Sequence, residues 1–171
     1  MGYPHFVPVT SDPLIQQTTD LAYEIWTTHF PGIISQAQID YMLNTLQSKT
    51  AIQEQIQAGF RYYLIQVEGY LAGYLAVKPE QQQKQLFLSK LYILKQARGT
   101  GLARRSIEFI ETLACEMNLS RIYLTCNKYN TTTLDIYAHL GFKTVDSVKK
   151  KIGSGFIMDD YVLKKTVDPK L

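Results

Sequence analysis

The stretch LFLSKLYILKQARGTGLARRSIEFIETLACEM, residues 86–117, decides the fold of this chain. Its first part, from Leu86 to Leu94, alternates apolar and polar residues as a β-strand does. From Leu102 onward the apolar residues recur with the period of an α-helix. A polar loop with two glycines, residues 96–101, joins the two parts. The stretch predicts a strand that runs through a glycine-containing loop into a helix.

This loop has the features of an anion-binding site. The first N–H groups of a helix have no partner inside the helix, and the helix dipole adds positive charge at that end. Glycine lets the backbone approach a phosphate closely. Arg98, Arg104 and Arg105 bring fixed positive charge to the same turn. Neither the dinucleotide fingerprint nor the Walker loop is present, so another phosphate ligand is indicated.

Composition limits the classes of function. A chain of 171 residues suits one domain, residues 1–171, and 46% hydrophobic residues indicate a globular chain. The net charge of +3 is too small to argue for nucleic acid. Cys115 and Cys126 are expected to be buried thiols in a reducing compartment, and no metal site is predicted. With neither a signal peptide nor a run long enough to span a bilayer, we expect a cytoplasmic protein and no membrane partner.

The order of elements predicts the fold class. Ser11-Asp12-Pro13 signals a helix start with Asp12 as the N-cap, and Ser35-x-x-Gln38 is a capping-box pattern that opens a second helix. Two strands meet in a tight turn at Glu68-Gly69. The chain then reads as strand, helix, strand, helix and two strands, which predicts an α/β (α+β) fold. We expect a mixed, mostly antiparallel central sheet with helices on both faces.

Two motifs carry a resemblance to a known family. Arg98-Gly99-Thr100-Gly101-Leu102-Ala103 looks like the Q/R-x-x-G-x-G/A signature of the GNAT superfamily of N-acetyltransferases, and Asn130 to Phe142 resembles its pattern N-x-x-A-x-x-x-Y-x-x-x-G-F. Thr133 stands where alanine is usual. The resemblance covers nearly the whole chain and implies the GNAT fold, with acetyl-CoA as the acetyl donor.

The resemblance also implies site residues. Backbone groups of the strand would pair with pantetheine, the loop would hold the pyrophosphate, Asn130 would bond pantetheine, and the Tyr137 hydroxyl would lie near the thioester sulfur as the catalytic acid. The alternative is that Tyr137 is a core aromatic residue and Asn130 a helix cap. The expected acetyl-CoA-binding residues are Leu91, Tyr92, Ile93, Arg98, Gly99, Thr100, Gly101, Leu102, Ala103, Arg104, Asn130 and Tyr137.

The general base is not evident. Many relatives carry a glutamate just before the core of this strand, where this chain has Ser89 followed by Lys90. A serine hydroxyl is too weak a base, and a lysine is protonated unless it is strongly desolvated. Deprotonation of the amine must then use another group, a water chain or free amine from bulk. The candidate groups are Asp159, Asp160, Glu24 and His29.

The acceptor site is expected to be aromatic and acidic, which suits an amine. The predicted acceptor-binding residues are Trp26, His29, Phe30, Asp159 and Asp160. This arrangement is similar to that of small-molecule amine acetyltransferases, including the bacterial spermine/spermidine acetyltransferases. Asp159-Asp160 also fits a solvated strand edge that discourages aggregation. Lys149–Lys151 is expected to be a solvated loop, or to meet the 3′-phosphate of CoA.

The sequence thus predicts an acetyl-CoA-dependent N-acetyltransferase that acts on the primary amine of a small molecule, with polyamines among the candidates. A CoA-binding regulatory module without turnover is an alternative, motivated by Ser89. An N-terminal acetyltransferase of peptides or proteins is another. A homodimer is compatible with the sequence, and no nucleic acid partner is expected.

Overall fold

The computed structural model describes residues 2–168 and confirms the predicted α/β fold class. The strands are β1 (Pro4–Pro8), β2 (Arg61–Val67), β3 (Tyr70–Glu80), β4 (Gln85–Ile93), β5 (Arg121–Asn127), β6 (Lys143–Gly153) and β7 (Phe156–Thr166). The helices are α1 (Asp12–His29), α2 (Gln36–Thr45), α3 (Lys49–Gln57), α4 (Leu102–Glu116) and α5 (Thr131–His139), and a 3-10 turn covers Lys95–Ala97.

The described strands are ordered β1-β2-β3-β4-β5-β7-β6. β1 with β2, β2 with β3, β5 with β7 and β6 with β7 pair antiparallel, whereas β4 and β5 pair in parallel. A parallel pair needs a long crossover connection, and α4 provides it. The sheet is therefore mixed, as the sequence predicts.

The chain divides into two compact units. The first contains the described residues up to Lys78 together with Lys90–Ser106, and the second contains Pro79–Ser89 together with the described residues from Ile107 onward. One domain over residues 1–171 stays a prediction.

In the first unit the helix starts follow the sequence with one correction. Ser35 caps α2, because its side chain accepts a hydrogen bond from the Gln38 N–H. Ser11, not the predicted Asp12, is the N-cap of α1. The Asp12 carboxylate instead accepts bonds from Lys49 Nζ at 3.0 Å and Gln53 Nε2 at 3.1 Å. A carboxylate that binds two donors on α3 is not free to fold back onto its own helix.

Gly73 of β3 fixes the path of β4 in the first unit. A Cβ at this position would lie 2.3 Å from the Tyr92 carbonyl oxygen, so no larger residue fits there without a backbone shift. One residue beyond β4, the Leu94 N–H donates to the Ala72 carbonyl at 2.8 Å. The end of β4 is therefore held at an unusually close distance from β3.

In the second unit β6 and β7 form a long hairpin. All residues of β6 except Ile152 are exposed, and β6 is the last strand in the sheet order. Lys149–Lys151 belong to this strand, so the expectation of a loop at these lysines is wrong. Pairing with β7 holds these lysines in extended backbone although their side chains stay in solvent.

Among residues 2–168 no helix is both long enough and apolar enough to cross a membrane.

Candidate functional site

The loop after β4 has the backbone conformation that a phosphate site needs. Gly99 and Gly101 have φ angles of +75° and +80°, a region that favours glycine over residues with a Cβ. The Arg105 N–H donates to the Gly101 carbonyl at 3.1 Å, so α4 starts directly after Gly101. The preceding N–H groups of the first helical turn are those that remain available for an anion.

Arg98 is anchored so that its charge stays beside this loop. Its Nε donates to the Ile93 carbonyl at 3.1 Å, which leaves the two terminal nitrogens of the guanidinium for other acceptors. Thr100 Oγ1 donates to the Ala97 carbonyl at 2.7 Å and tightens the turn. Arg98, Gly99, Thr100, Gly101 and Arg104 are exposed, whereas Leu102 is buried and Ala103 is half-buried.

The Arg105 side chain, unlike that of its neighbour Arg104, contacts an aromatic ring. The Arg105 guanidinium carbon lies 4.1 Å from the centroid of the Tyr3 ring, which is a cation–π contact. The three arginines near the loop are therefore not equivalent. Arg98 and Arg104 remain the stronger candidates for phosphate contact.

The aromatic residues predicted for the acceptor site pack into one cluster in the first unit. Trp26 and Phe30 stack with centroids 4.1 Å apart, and Tyr92 meets both rings edge-on at 5.4 and 6.1 Å. His29, the last residue of α1, lies edge-on to Phe30 at 4.8 Å. Trp26 and Phe30 are only 3% and 7% exposed. The structure therefore packs these predicted acceptor residues against one another. We call Trp26, His29 and Phe30 the aromatic wall.

Lys90 of β4 precedes the predicted pantetheine-binding residues. The sequence did not reveal that its side chain is buried and hydrogen-bonded. The side chain is buried, and its Nζ donates to the Leu46 carbonyl at 2.9 Å, to Gln55 Oε1 at 3.2 Å and to the Tyr62 hydroxyl. The Tyr62 hydroxyl in turn donates to Gln55 Oε1. Burial lowers the pKa of Lys90 to about 7. Because its three donors are all engaged, Lys90 belongs to the packing of α2 and α3 rather than to a proton transfer.

A shallow cleft of about 270 Å³ lies in the first unit. It is lined by Gln17, Asp20, Leu21, Glu24, Leu71 and Leu94. Glu24, one of the candidate bases, is part of this lining. Leu94 connects the cleft to the end of β4.

In the second unit the Asn130-to-Phe142 motif folds as a helix with defined ends. Asn130 is the N-cap of α5 but its side chain makes no cap hydrogen bond, so the amide is not committed to the helix. Tyr137 packs edge-on against Phe142 with centroids 5.4 Å apart, and the Phe142 N–H donates to the Tyr137 carbonyl. Gly141 between them has φ +96°. Asn130 and Tyr137 are both 7% exposed.

Asp159 and Asp160 occupy different environments in the second unit, as neighbours on a strand do. Asp159 Oδ1 lies 2.9 Å from Lys128 Nζ in an ion pair. Asp160 is 3% exposed, and its Oδ1 has no hydrogen-bond partner among the described residues. Burial raises the pKa of the Asp160 carboxyl, while a hydrogen bond with the Thr125 side chain opposes that rise. A solvated strand edge does not describe Asp160.

Within each unit, then, the predicted residues fall into groups. The first unit holds Leu91, Tyr92, Ile93, the loop residues and the aromatic wall, and the second holds Asn130, Tyr137 and the aspartates. Sequence reasoning missed Gly73, Thr125 and the burial of Lys90. A glycine inside a strand was the signal for Gly73, since it marks a close backbone approach.

The described strands form a mixed seven-stranded sheet, and a loop with two positive-φ glycines links one of them to a helix. These features define an α/β protein whose loop has a geometry suited to an anion. The model of the acetyltransferase (GNAT) family matches residues 20–142, which is well over half of the chain. The chain belongs to this family.

Known proteins support the family but are distant. An uncharacterized N-acetyltransferase YjgM of Escherichia coli is 30% identical over 92 residues, a match that covers 53% of this chain and 55% of that protein. The chain thus matches little more than half the length of this relative.

Two solved structures share the fold. The PaiA N-acetyltransferase of Thermoplasma acidophilum in complex with coenzyme A has a TM-score of 0.77 at 16% identity, covering 96% of this chain and 99% of that one. A spermidine N-acetyltransferase SpeG chimera from Vibrio cholerae and hSSAT has a TM-score of 0.68 at 15% identity, covering 95% of each chain.

Proposed function

We propose that this protein is an acetyl-CoA-dependent N-acetyltransferase that transfers the acetyl group to a primary amine of a small molecule. The observation that carries the proposal is the loop after β4. Its two glycines adopt positive φ angles just before α4. Arg98 is anchored by a hydrogen bond to the carbonyl of Ile93, the last residue of β4. This arrangement fits a pyrophosphate, because backbone N–H groups and a guanidinium converge where no side chain intrudes.

Each group of residues has a role in this proposal. The loop from Arg98 to Ala103, together with Arg104, holds the pyrophosphate, and the backbone of Leu91, Tyr92 and Ile93 pairs with pantetheine as an added strand does. An N–H of this strand polarises the thioester carbonyl, an effect worth about 10²–10³ in rate. The Asn130 amide, free of helix capping, bonds pantetheine.

Tyr137 is the proposed acid. The amine attacks the acetyl carbon directly, and the Tyr137 hydroxyl protonates the thiolate that leaves, since a phenol can donate a proton at this stage. Its ring packs edge-on against Phe142, which limits the positions that the hydroxyl oxygen can take. Acetyl-CoA supplies the activated acyl group, and the chain supplies binding, orientation and proton transfer.

The acceptor is proposed to be a cationic small molecule, with polyamines among the candidates. The aromatic wall of Trp26, His29 and Phe30 and the carboxyls of Asp159 and Asp160 are the groups that an alkylammonium ion prefers. The fold shared with the spermidine N-acetyltransferase chimera is compatible with this class.

A thiol-release assay tests the proposal. Purified protein is mixed with acetyl-CoA and a panel of polyamines, monoamines, amino acids and a peptide with a free N-terminus. Turnover that is fastest with a small amine supports the proposal, and turnover only with the peptide moves the function to N-terminal acetylation. Tight CoA binding in calorimetry without turnover on any amine supports the regulatory module that Ser89 suggests.

A further inference from the structure

We infer that Asp160, acting through the Thr125 hydroxyl, takes the proton from the acceptor ammonium and so supplies the base that Ser89 does not. The inference rests on the proposed function and assigns one step of it. Its basis is a pair of side chains in the second unit, one exposed and one buried beneath it.

Register places the two residues on one face of the sheet. Asp160 of β7 lies opposite Asn127 of β5, and Thr125 lies opposite Val162, two residues further along β7. Directly opposed residues share a face, so Thr125 and Asp160 are diagonal neighbours. Thr125 is exposed, whereas Asp160 is 3% exposed. The Thr125 hydroxyl hydrogen-bonds the Asp160 carboxyl, so an exposed hydroxyl is joined to a buried carboxyl.

The Asp160 carboxyl keeps bonding capacity that the fold does not use. Its Oδ1 is buried and lacks a hydrogen-bond partner among the described residues, although leaving a buried charged oxygen unsatisfied costs stability. The Oδ1 of the neighbouring Asp159 also has no hydrogen-bond partner among the described residues, but an ion pair with Lys128 offsets its charge. A buried carboxyl without such an ion pair, and with one oxygen open beside a surface hydroxyl, fits proton exchange.

Burial raises the pKa of Asp160, which makes its carboxylate a stronger base than an exposed aspartate. The Thr125 bond and the Lys128 charge act in the opposite direction, and Asp159 adds to the rise. Other polar or ionisable groups close to Asp160 on the elements around it are Asn127 and Cys126 of β5, Asp146 and Lys150 of β6, and Lys164 of β7.

The proton balance of the step is complete. The ammonium gives a proton to the Thr125 oxygen while the Thr125 proton moves to the Asp160 carboxylate, which leaves a neutral amine and a protonated Asp160. The amine nitrogen forms a bond to the acetyl carbon, and the carbon–sulfur bond breaks. Tyr137 gives its proton to the thiolate and regains one from the amide nitrogen, which loses its second proton, and Asp160 releases its proton to solvent.

The test measures kcat/KM against pH for the wild type, Asp160→Asn, Thr125→Val and Thr125→Ser. Asp146→Asn is the matched control, because it removes one negative charge from the same face of the sheet. Each enzyme is assayed with an alkylamine, which is charged at pH 7, and with an aromatic amine, which is neutral there.

With the alkylamine at pH 7, we expect Asp160→Asn and Thr125→Val to lose about 100-fold in kcat/KM, the size of a general-base effect. The loss should shrink about tenfold for each pH unit as free amine becomes available. With the aromatic amine the two variants should stay within a few-fold of the wild type. Thr125→Ser, which keeps the hydroxyl, should recover most of the activity that Thr125→Val loses, and Asp146→Asn should keep the wild-type profile.

A uniform loss in Asp160→Asn at every pH and with both amines would overturn the inference, since a merely structural role predicts that result. An unchanged pH profile in Thr125→Val would do the same, and this exposed position serves if Asp160→Asn does not fold. Wild-type protein that acetylates no amine would instead refute the proposed function and this inference with it.

Discussion

Lys90 in the first unit and Asp160 in the second are both buried ionisable residues on sheet strands, but the fold treats them differently. Lys90 Nζ donates to three acceptors, one of which is the carbonyl of Leu46, the C-cap residue of α2. Asp160 has one oxygen with no partner among the described residues.

The difference separates a buried group whose hydrogen bonds are all made inside the protein from one that we propose takes part in the reaction. A buried charge whose bonds are all made inside the protein rigidifies its surroundings, and here it joins α2 and α3 to β4. A buried carboxyl with an open oxygen costs stability and keeps the capacity to bond something else. In the proposed function the first unit therefore contributes mainly binding by its backbone, and the second mainly chemistry by its side chains.

The largest expected effect tests the chemical role of the second unit. Tyr137→Phe removes one oxygen and keeps the contact with Phe142. If the hydroxyl protonates the leaving thiolate, turnover should fall by about 10²–10⁴-fold while CoA affinity stays unchanged. Steady-state kinetics on the best amine measures this, with a thermal melt as the control for folding. Wild-type turnover in the variant would assign Tyr137 to packing alone.

The next effect tests the binding role of the first unit. Gly101→Asp should weaken CoA binding by about 100-fold to 1,000-fold, or about 3–4 kcal/mol, because a carboxylate would face the pyrophosphate. Calorimetry with CoA gives the affinity. Gly101→Asn is the matched control, since asparagine has the same shape and tolerates the φ of +80° without the charge. Equal affinities in the two variants would remove the phosphate assignment of this loop.

A smaller effect is expected at Arg98. Arg98→Ala should raise the KM for acetyl-CoA by about tenfold and change kcat less, because the contact is present in both the ground state and the transition state. Arg98→Lys should lie between, as it keeps the charge but has no Nε to bond the Ile93 carbonyl while leaving two terminal nitrogens for a phosphate. A loss confined to kcat would place Arg98 in the chemistry and break the division between the two units.

The parts of this protein that the sequence predicts are those with local signals. The alternation of β4, the period of α4 and the glycines between them are all set within about thirty residues. The sequence does not predict that β6 extends through Lys149–Lys151. Nearly all residues of β6 are exposed, so the strand has no alternation of buried and exposed residues to detect. Its lysines are held in a strand only by pairing with β7.

The states of Lys90 and Asp160 were not predictable for a related reason. Lys90 bonds Leu46 and Tyr62, which lie 44 and 28 residues away in the chain. Asp160 differs from Asp159 because Lys128 and Thr125 stand on opposite sides of the strand pair. Such partners are set by tertiary packing, which neither propensity nor spacing encodes.

The two buried residues should also give stability opposite dependences on pH. The pKa of Asp160 is raised above 3.8, so the folded state binds more protons than the unfolded state just above that pH, and stability falls as pH rises there. The pKa of Lys90 is lowered from 10.5 to about 7, so between these values the unfolded state binds more protons and stability rises with pH.

The smallest effect isolates the Lys90 half of this comparison. The rise in the free energy of unfolding from pH 7 to pH 9 should contain about 1–2 kcal/mol from Lys90 and should disappear in Lys90→Met. Methionine occupies the space of the aliphatic part of the lysine side chain. The groups that bonded Lys90 still bond one another. Tyr62 donates to Gln55 Oε1, and Gln55 Nε2 donates to the Leu46 carbonyl.

Urea unfolding at pH 7, 8 and 9 measures this pH dependence. The control is Lys49→Met, which removes a lysine whose ion pair with Asp12 is exposed and should leave the dependence unchanged. If Lys90→Met keeps the wild-type rise, Lys90 is charged throughout this range, and its three acceptors outweigh the desolvation of its ammonium group.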